Sequence, residues 1–173
     1  MNRWLLRPRV LAGIAIAVFA CIVLFQLPAS PAASAHFVEF TGAAPFDERP
    51  AGYTVSGVLL AFQQLGARGL GDYEAYRAVD LVFPWLLCAL VAAVMLRLDA
   101  ARATMWPWLA AVADTTENAL QYAILLTRDD LSPELVQWAS GVTQVKFVLY
   151  ALMLLMLLAV GARALWRQHR AVP

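Results

Sequence analysis

The chain has 173 residues, of which 62% are hydrophobic and 14% charged, with a mean hydropathy of +0.66. A soluble domain carries roughly a quarter charged residues, so this composition argues against a water-soluble domain and for one integral membrane domain spanning residues 1–173. The net charge of +1 gives no electrostatic reason to expect a nucleic-acid partner.

The chain opens on a basic segment, Met1–Arg9, with Arg3, Arg7 and Arg9. An apolar run follows, predicting a first helix over about 10–28, long enough to nearly span the ~30 Å hydrocarbon core. Two readings of this opening stand. The run is long for a signal-peptide core and reads as an uncleaved helix; yet the Arg-rich start and Ala33-Ser34-Ala35 also match a signal peptide cut before His36.

Residues 29–78 read as an extracytoplasmic segment. Gly42, Pro45, Pro50 and Gly52 break it into turns. Within it, Thr54–Leu65 predicts a short amphipathic helix, with Val55, Val58, Leu59, Phe62 and Leu65 on one face and Thr54 as N-cap. Twelve residues are too few to cross a bilayer. Gly66, Gly69 and Gly71 read as a loose turn. No Gly-Lys-Ser/Thr follows, so they are not a phosphate-binding loop.

Asp72 caps the next expected helix, whose membrane part covers about 79–97. It holds Asp80 near its outer end and Pro84, which predicts a kink. After a short turn with Arg97, Asp99 and Arg102, a third helix is expected over 105–126, entered through Trp106-Pro107-Trp108. An acidic loop then leads to Ser132-Pro133, a cap and first helical position. The fourth helix crosses the membrane over about 138–161, and a basic tail with Arg163, Arg167, His169 and Arg170 follows. The expected fold is therefore all-α: a polytopic four-helix membrane bundle with a short amphipathic periplasmic helix.

Arginines set the orientation. The N-terminus, the turn between helices two and three, and the tail carry three, two and three arginines; the opposite side carries four across much more chain. Positive-inside then places both termini in the cytoplasm of a multi-pass protein of the bacterial inner membrane. The abundance of Arg over Lys, and of Ala and Leu, is in keeping with a GC-rich bacterial source.

The third helix is costly. Asp114, Glu117, Asn118 and Gln121 lie at i, i+3, i+4 and i+7, within a sector of about 100°. Each central acid costs roughly 2.5–3.5 kcal/mol to insert, so this face must point into the bundle. Lys146, ~12 Å deep in the fourth helix at 1.5 Å per residue, is the expected partner for Glu117, ~15 Å deep, or for Asp114. Ser140, Thr143, Lys146 and Tyr150 form a polar stripe around it, and Tyr73, Tyr76 and Asp80 supply another, with Asp80 closing the site toward the outer face. Asp114, Glu117 and Lys146 are the candidate catalytic residues; Asp80, Asn118, Gln121, Thr143 and Tyr150 are the candidate binding residues. The alternative role is structural, with polar side chains fixing helix register.

Other chemistries find no support. Cys21 and Cys88 sit singly in apolar runs, without a CxxC, and read as buried structural thiols. No metal-ligand spacing, cofactor motif or nucleophile motif is present. Most tryptophans fall at expected interfaces; Trp85 lies inside a helix and reads as packing.

Tyr53-Thr54, Asp80-Leu81-Val82-Phe83-Pro84, Asp114-Thr115-Thr116-Glu117-Asn118 and Thr143-Gln144-Val145-Lys146, in that order, resemble a group of small four-helix bacterial membrane proteins with no assigned function. The resemblance covers about residues 40–160 and implies that Asp80, Asp114, Glu117, Asn118 and Lys146 act as a unit. Sterol isomerases also use intramembrane acids, but this chain lacks their intramembrane histidine. Three functions fit the pattern: a site for a lipid-like amphiphile, with Glu117 or Asp114 exchanging a proton beside Lys146; a small, oligomeric transporter or proton-coupled permease component; or a non-catalytic subunit docking a membrane partner through its amphipathic segment. The bilayer is a partner in all three.

Overall fold

Long apolar helices dominate the computed structural model, which describes residues 7–170. Arg3 and Trp4, from the basic start, lie outside the described residues. The α-helices are α1 (Pro8–Gln26), α2 (Ser34–Thr41), α3 (Val55–Asp80), α4 (Phe83–Arg97), α5 (Met105–Leu126) and α6 (Pro133–Arg170), and no strand occurs among the described residues. Short 3-10 turns at Phe46–Glu48, Ala101–Thr104 and Arg128–Asp130 link them.

Three helical stretches are long and apolar enough to cross a membrane: Pro8–Gln26, Val55–Arg97 and Pro133–Arg167. The second contains α3 and α4, parted only by Leu81 and Val82. α5, expected as a fourth span, is not among the three, because its polar face lowers its hydropathy. Ile16 and Phe19 of α1 are 69% and 66% exposed, and Val145, Val148, Leu154, Leu155 and Leu158 of α6 also face outward. Soluble monomers rarely expose apolar patches above a few hundred Å², so this surface fits lipid contact.

The segment before α4 differs most from the sequence reading. The expected amphipathic helix ends where expected, before Gly66; a kink there joins it directly to a second helical limb, and together they make up α3. Thr54 caps it as expected, its Oγ1 accepting from Gly57 N at 3.2 Å. Of the three glycines expected to form a turn, only Gly66 departs from helical geometry (φ 59°, ψ −170°), in a region open essentially to glycine alone. Gly69 stays helical, and a Cβ there would lie 3.0 Å from Phe40 of α2. Asp72 does not cap a helix; it sits inside α3, 3.3 Å from His36 Nδ1. The His36 ring also bonds Pro28 O at 2.9 Å, tying the α1–α2 linker to α3.

The expected kink at Pro84 is a full break. α3 ends at Asp80 and α4 restarts at Phe83, with Pro84 in its first turn. Proline has no N–H to offer the carbonyl four residues back, here Asp80 O. Asn118 Nδ2 of α5 donates to that carbonyl instead, at 3.2 Å.

Two apolar clusters bracket the molecule. One gathers Phe37, Phe46, Val58, Leu65, Tyr73, Tyr76, Ile124, Leu125 and Val136. The other gathers Cys88, Val91, Met95, Ala110, Ala111 and Met153. Along α5 the order is Ala110 and Ala111, then the polar residues 114–121, then Ile124 and Leu125; α6 repeats it in reverse. The polar layer thus lies between two apolar ones. The 42–54 segment reaches into this layer, leaving Phe46 1% and Asp47 5% exposed. Its far end is held by Tyr53 N, which donates to Ser140 Oγ of α6 at 2.9 Å.

Gly52 makes this seating possible. Its φ is +79°, and a Cβ there would run into Ser140 Oγ and lie 2.7 Å from Gln144 Nε2. Gly52→Ala is expected to destabilise the protein by about 1–3 kcal/mol. Gly141→Ala, where a Cβ meets nothing within 4 Å, should be neutral or slightly stabilising; thermal unfolding in detergent reads both.

Candidate functional site

Burying an unpaired carboxylate or ammonium in a low-dielectric interior costs several kcal/mol, so each must find a counter-charge or several hydrogen bonds. The polar layer meets this requirement through two linked ion-pair centres. In the first, Lys146 Nζ lies 2.5 Å from Glu117 Oε2 and donates to Asp47 O at 3.0 Å. Glu117 is fully buried. Its Oε1 accepts from Gln121 Nε2 at 2.9 Å and from Thr143 Oγ1. Gln121 in turn accepts from the Tyr73 hydroxyl at 3.0 Å.

The second centre is Arg77, 1% exposed. Its Nη1 lies 3.3 Å from Asp80 Oδ2 and 3.5 Å from Asp47 Oδ1, and its Nη2 donates to Asn118 Oδ1. Asp47 Oδ2 accepts from the Tyr76 hydroxyl at 2.7 Å, with Glu48 Oε1 a second acceptor at 3.1 Å. Asn118 joins the centres to Asp114, donating to its Oδ1 at 3.0 Å. Asp114 Oδ2 accepts from the Tyr150 hydroxyl at 2.9 Å.

All eight residues singled out from the sequence lie in this one network. Lys146 meets Glu117, while Asp114 is held by neutral groups. Asp80, expected to close the site, is buried against Arg77. The sequence reading missed Arg77 and Asp47. Arg77 counted among the basic residues of the outer side, although Tyr73, Tyr76, Arg77 and Asp80 repeat the i, i+3, i+4, i+7 spacing that exposed the α5 face. Asp47 lies in a turn, where no periodicity reveals a direction. Trp85 is 42% exposed and packs on Trp108, 6.3 Å between centroids.

A cleft of about 360 Å³ opens onto the network. Asp47, Asp80, Asp114, Lys146 and Tyr150 form its polar side, and Phe25, Phe83, Leu87 and Phe147 its apolar side, with Tyr76 and Glu48 between. α1 supplies Phe25, and α6 supplies Lys146, Phe147 and Tyr150, to this lining; both helices carry largely exposed apolar surface. Outside the helices, partial burial and then the neighbouring Asp47 carboxylate push the Glu48 carboxyl above its ordinary range. Burial also pushes the Tyr53 phenol up to about 12, so it remains a neutral hydroxyl beside the site.

No protein-family model, curated protein or solved structure matches the chain. The chemistry of the site therefore carries the functional reading.

Removing one partner of a buried pair strands the other. Lys146→Met is expected to lower stability by about 3–5 kcal/mol. The double substitution Glu117→Gln/Lys146→Met, which leaves no buried charge at that point, should recover most of the loss in a detergent-unfolding series.

Proposed function

We propose that the protein is a multi-pass membrane protein whose buried Asp/Glu/Asn–Lys site binds, and in the fuller version acts on, a lipid-like amphiphile. One observation carries this reading: the cleft combines charged, hydrogen-bonding residues with apolar ones, and α1 and α6, whose apolar surfaces are largely exposed, both contribute to it. Such a shape suits a molecule with a polar head and a hydrocarbon tail. Intramembrane ionisable groups mark functional sites by default. Within the site Asp114 is the best-placed proton acceptor, because it lines the cleft while Glu117 is sealed against Lys146.

A proton-coupled carrier is the second reading. Its support is the unbroken chain of polar contacts from Tyr150 through Asp114 and Asn118 to Arg77 and Asp47. The third reading, a subunit docking through the Thr54–Leu65 face, has less to draw on. Val58 and Leu65 of that face are already buried within the chain, which leaves Leu59 as its exposed large residue.

The same proposal includes four spans, with α5 carried across by its neighbours, and both termini in the cytoplasm of the bacterial inner membrane. Reporter fusions should then give a cytoplasmic signal after Arg170 and an extracytoplasmic one within Arg128–Asp130. A reversed pattern overturns the orientation.

A photoreactive residue at Leu87, in the cleft, should form an adduct with a tritiated tetradecyl amphiphile that saturates with concentration. The same residue at Val148, 59% exposed on α6, should label linearly. Equal, unsaturable labelling at both positions refutes the binding site.

A further inference from the structure

The charges around the cleft do not balance. Asp47, Glu48, Asp80, Asp114 and Glu117 supply five carboxyl groups; among the described residues Arg77 and Lys146 are the two cations in ion pairs with them, and Arg49 acts on Asp47 from the side of the turn. Both cations are already engaged. Arg77 faces Asp47 and Asp80, and Lys146 faces Glu117. Asp114 and Glu48 hydrogen-bond only to neutral donors, Tyr150 and Asn118 for one and Tyr76 for the other, with Lys146 acting on both through space while it is paired to Glu117. Both line the cleft.

A separate observation points the same way. Asp47 also lines the cleft and is 95% buried by its 5% exposure, yet its Oδ1 accepts no hydrogen bond. Its nearest cationic atom, Arg77 Nη1, stands 3.5 Å away. A buried carboxylate beside a cavity, with one oxygen held only by a distant ion pair, favours a donor or a positive charge nearby.

The walls suit an organic cation. Phe25 packs on Tyr76 at 5.0 Å and on Phe83 at 5.5 Å, nearly edge-on, and all three rings line the cleft with Phe147. Aromatic faces attract ammonium groups, and quaternary ammonium recognition uses clusters of such rings. Lys146 Nζ itself already lies 5.5 Å from the Phe147 ring centroid. A metal ion is the poorer guest. No three His, Cys, Asp or Glu residues among the described ones converge to hold one, and aromatic walls offer a hard cation no ligands.

We propose that the ligand of this cleft is an amphiphile with a cationic, ammonium-type head. The head sits between Asp114 and Glu48 against the aromatic rings, and the tail leaves past Leu87 toward lipid. This rests on the amphiphile reading above and gives it a head-group charge. An anionic head would face the carboxylates of Asp114 and Glu48 and is rejected.

Competition for the saturable adduct at Leu87 tests this in the full-length protein in neutral maltoside micelles. The competitors are tetradecyltrimethylammonium, tetradecyl sulfate and the uncharged tetradecyl tetraethylene glycol ether, which share one chain length. The ammonium should compete at about tenfold lower concentration than the ether, the size of one cation–π or partly screened charge contact, and the sulfate more weakly than either. Glu48→Gln, at an exposed position that leaves the fold intact, and Asp114→Asn should each shrink the ammonium preference. Asp129→Asn, in the outer loop, should leave it unchanged. Equal competition by all three overturns the cationic head while the amphiphile site stands; protons alone then balance the carboxylates. Preference for the sulfate also overturns it. Failure of any competitor to displace the adduct overturns the amphiphile reading itself.

Discussion

A charged group withdrawn from water must be met by other polar groups, and the interior of this protein is arranged around that demand. Lys146 and Arg77 each sit among carboxylates, and the amides of Asn118 and Gln121 bridge the remaining gaps. Three helices, α3, α5 and α6, and one turn contribute. Remove any one of them and a buried charge loses its partner. The two apolar clusters above and below could be repacked with many residue combinations of similar volume; the polar layer cannot, because each of its members has a specific donor or acceptor to serve.

The turn at Phe46–Glu48 shows how far this reaches. Buried irregular backbone is tolerated only where other groups satisfy its N–H and C=O. Here Lys146 takes the Asp47 carbonyl, and Ser140 takes the Tyr53 amide. Arg49 closes the turn on itself, its Nε donating to Ala44 O at 2.8 Å while its guanidinium lies 4.8 Å over the Phe46 ring. The missing N–H of Pro84 is handled the same way: a helix break creates a free carbonyl, and a side chain of the polar layer, Asn118, occupies it. Backbone irregularity and site chemistry are thus one system.

The parts of this system written at helical spacing were legible in the sequence. Asp114, Glu117, Asn118 and Gln121 declare a common face, and the depth of Lys146 matches theirs. The Arg77 signal was equally present, since it completes a face with Tyr73, Tyr76 and Asp80, but a charged residue near an expected helix end is readily assigned to the surface. Asp47 left no such trace, because a turn has no period. Gly66 could not be told apart from Gly69 and Gly71, since which glycine uses its freedom depends on the neighbours it meets. The start of the second limb was hidden for the same reason: the break takes only Gly66, so helix resumes before Gly69 and not at Asp72.

The uneven hydropathy of α5 has a consequence for how the protein is made. Alone, that helix is a poor candidate to leave the translocation channel for lipid, while α6 is a good one. Only the residues 127–132 separate them, so the two can partition together as a hairpin, with the lysine of one neutralising the glutamate of the other. On the four-span reading proposed above, the acidic helix owes its place in the bilayer to a segment synthesised after it, and a nascent chain halted before Lys146 would hold α5 at the aqueous boundary.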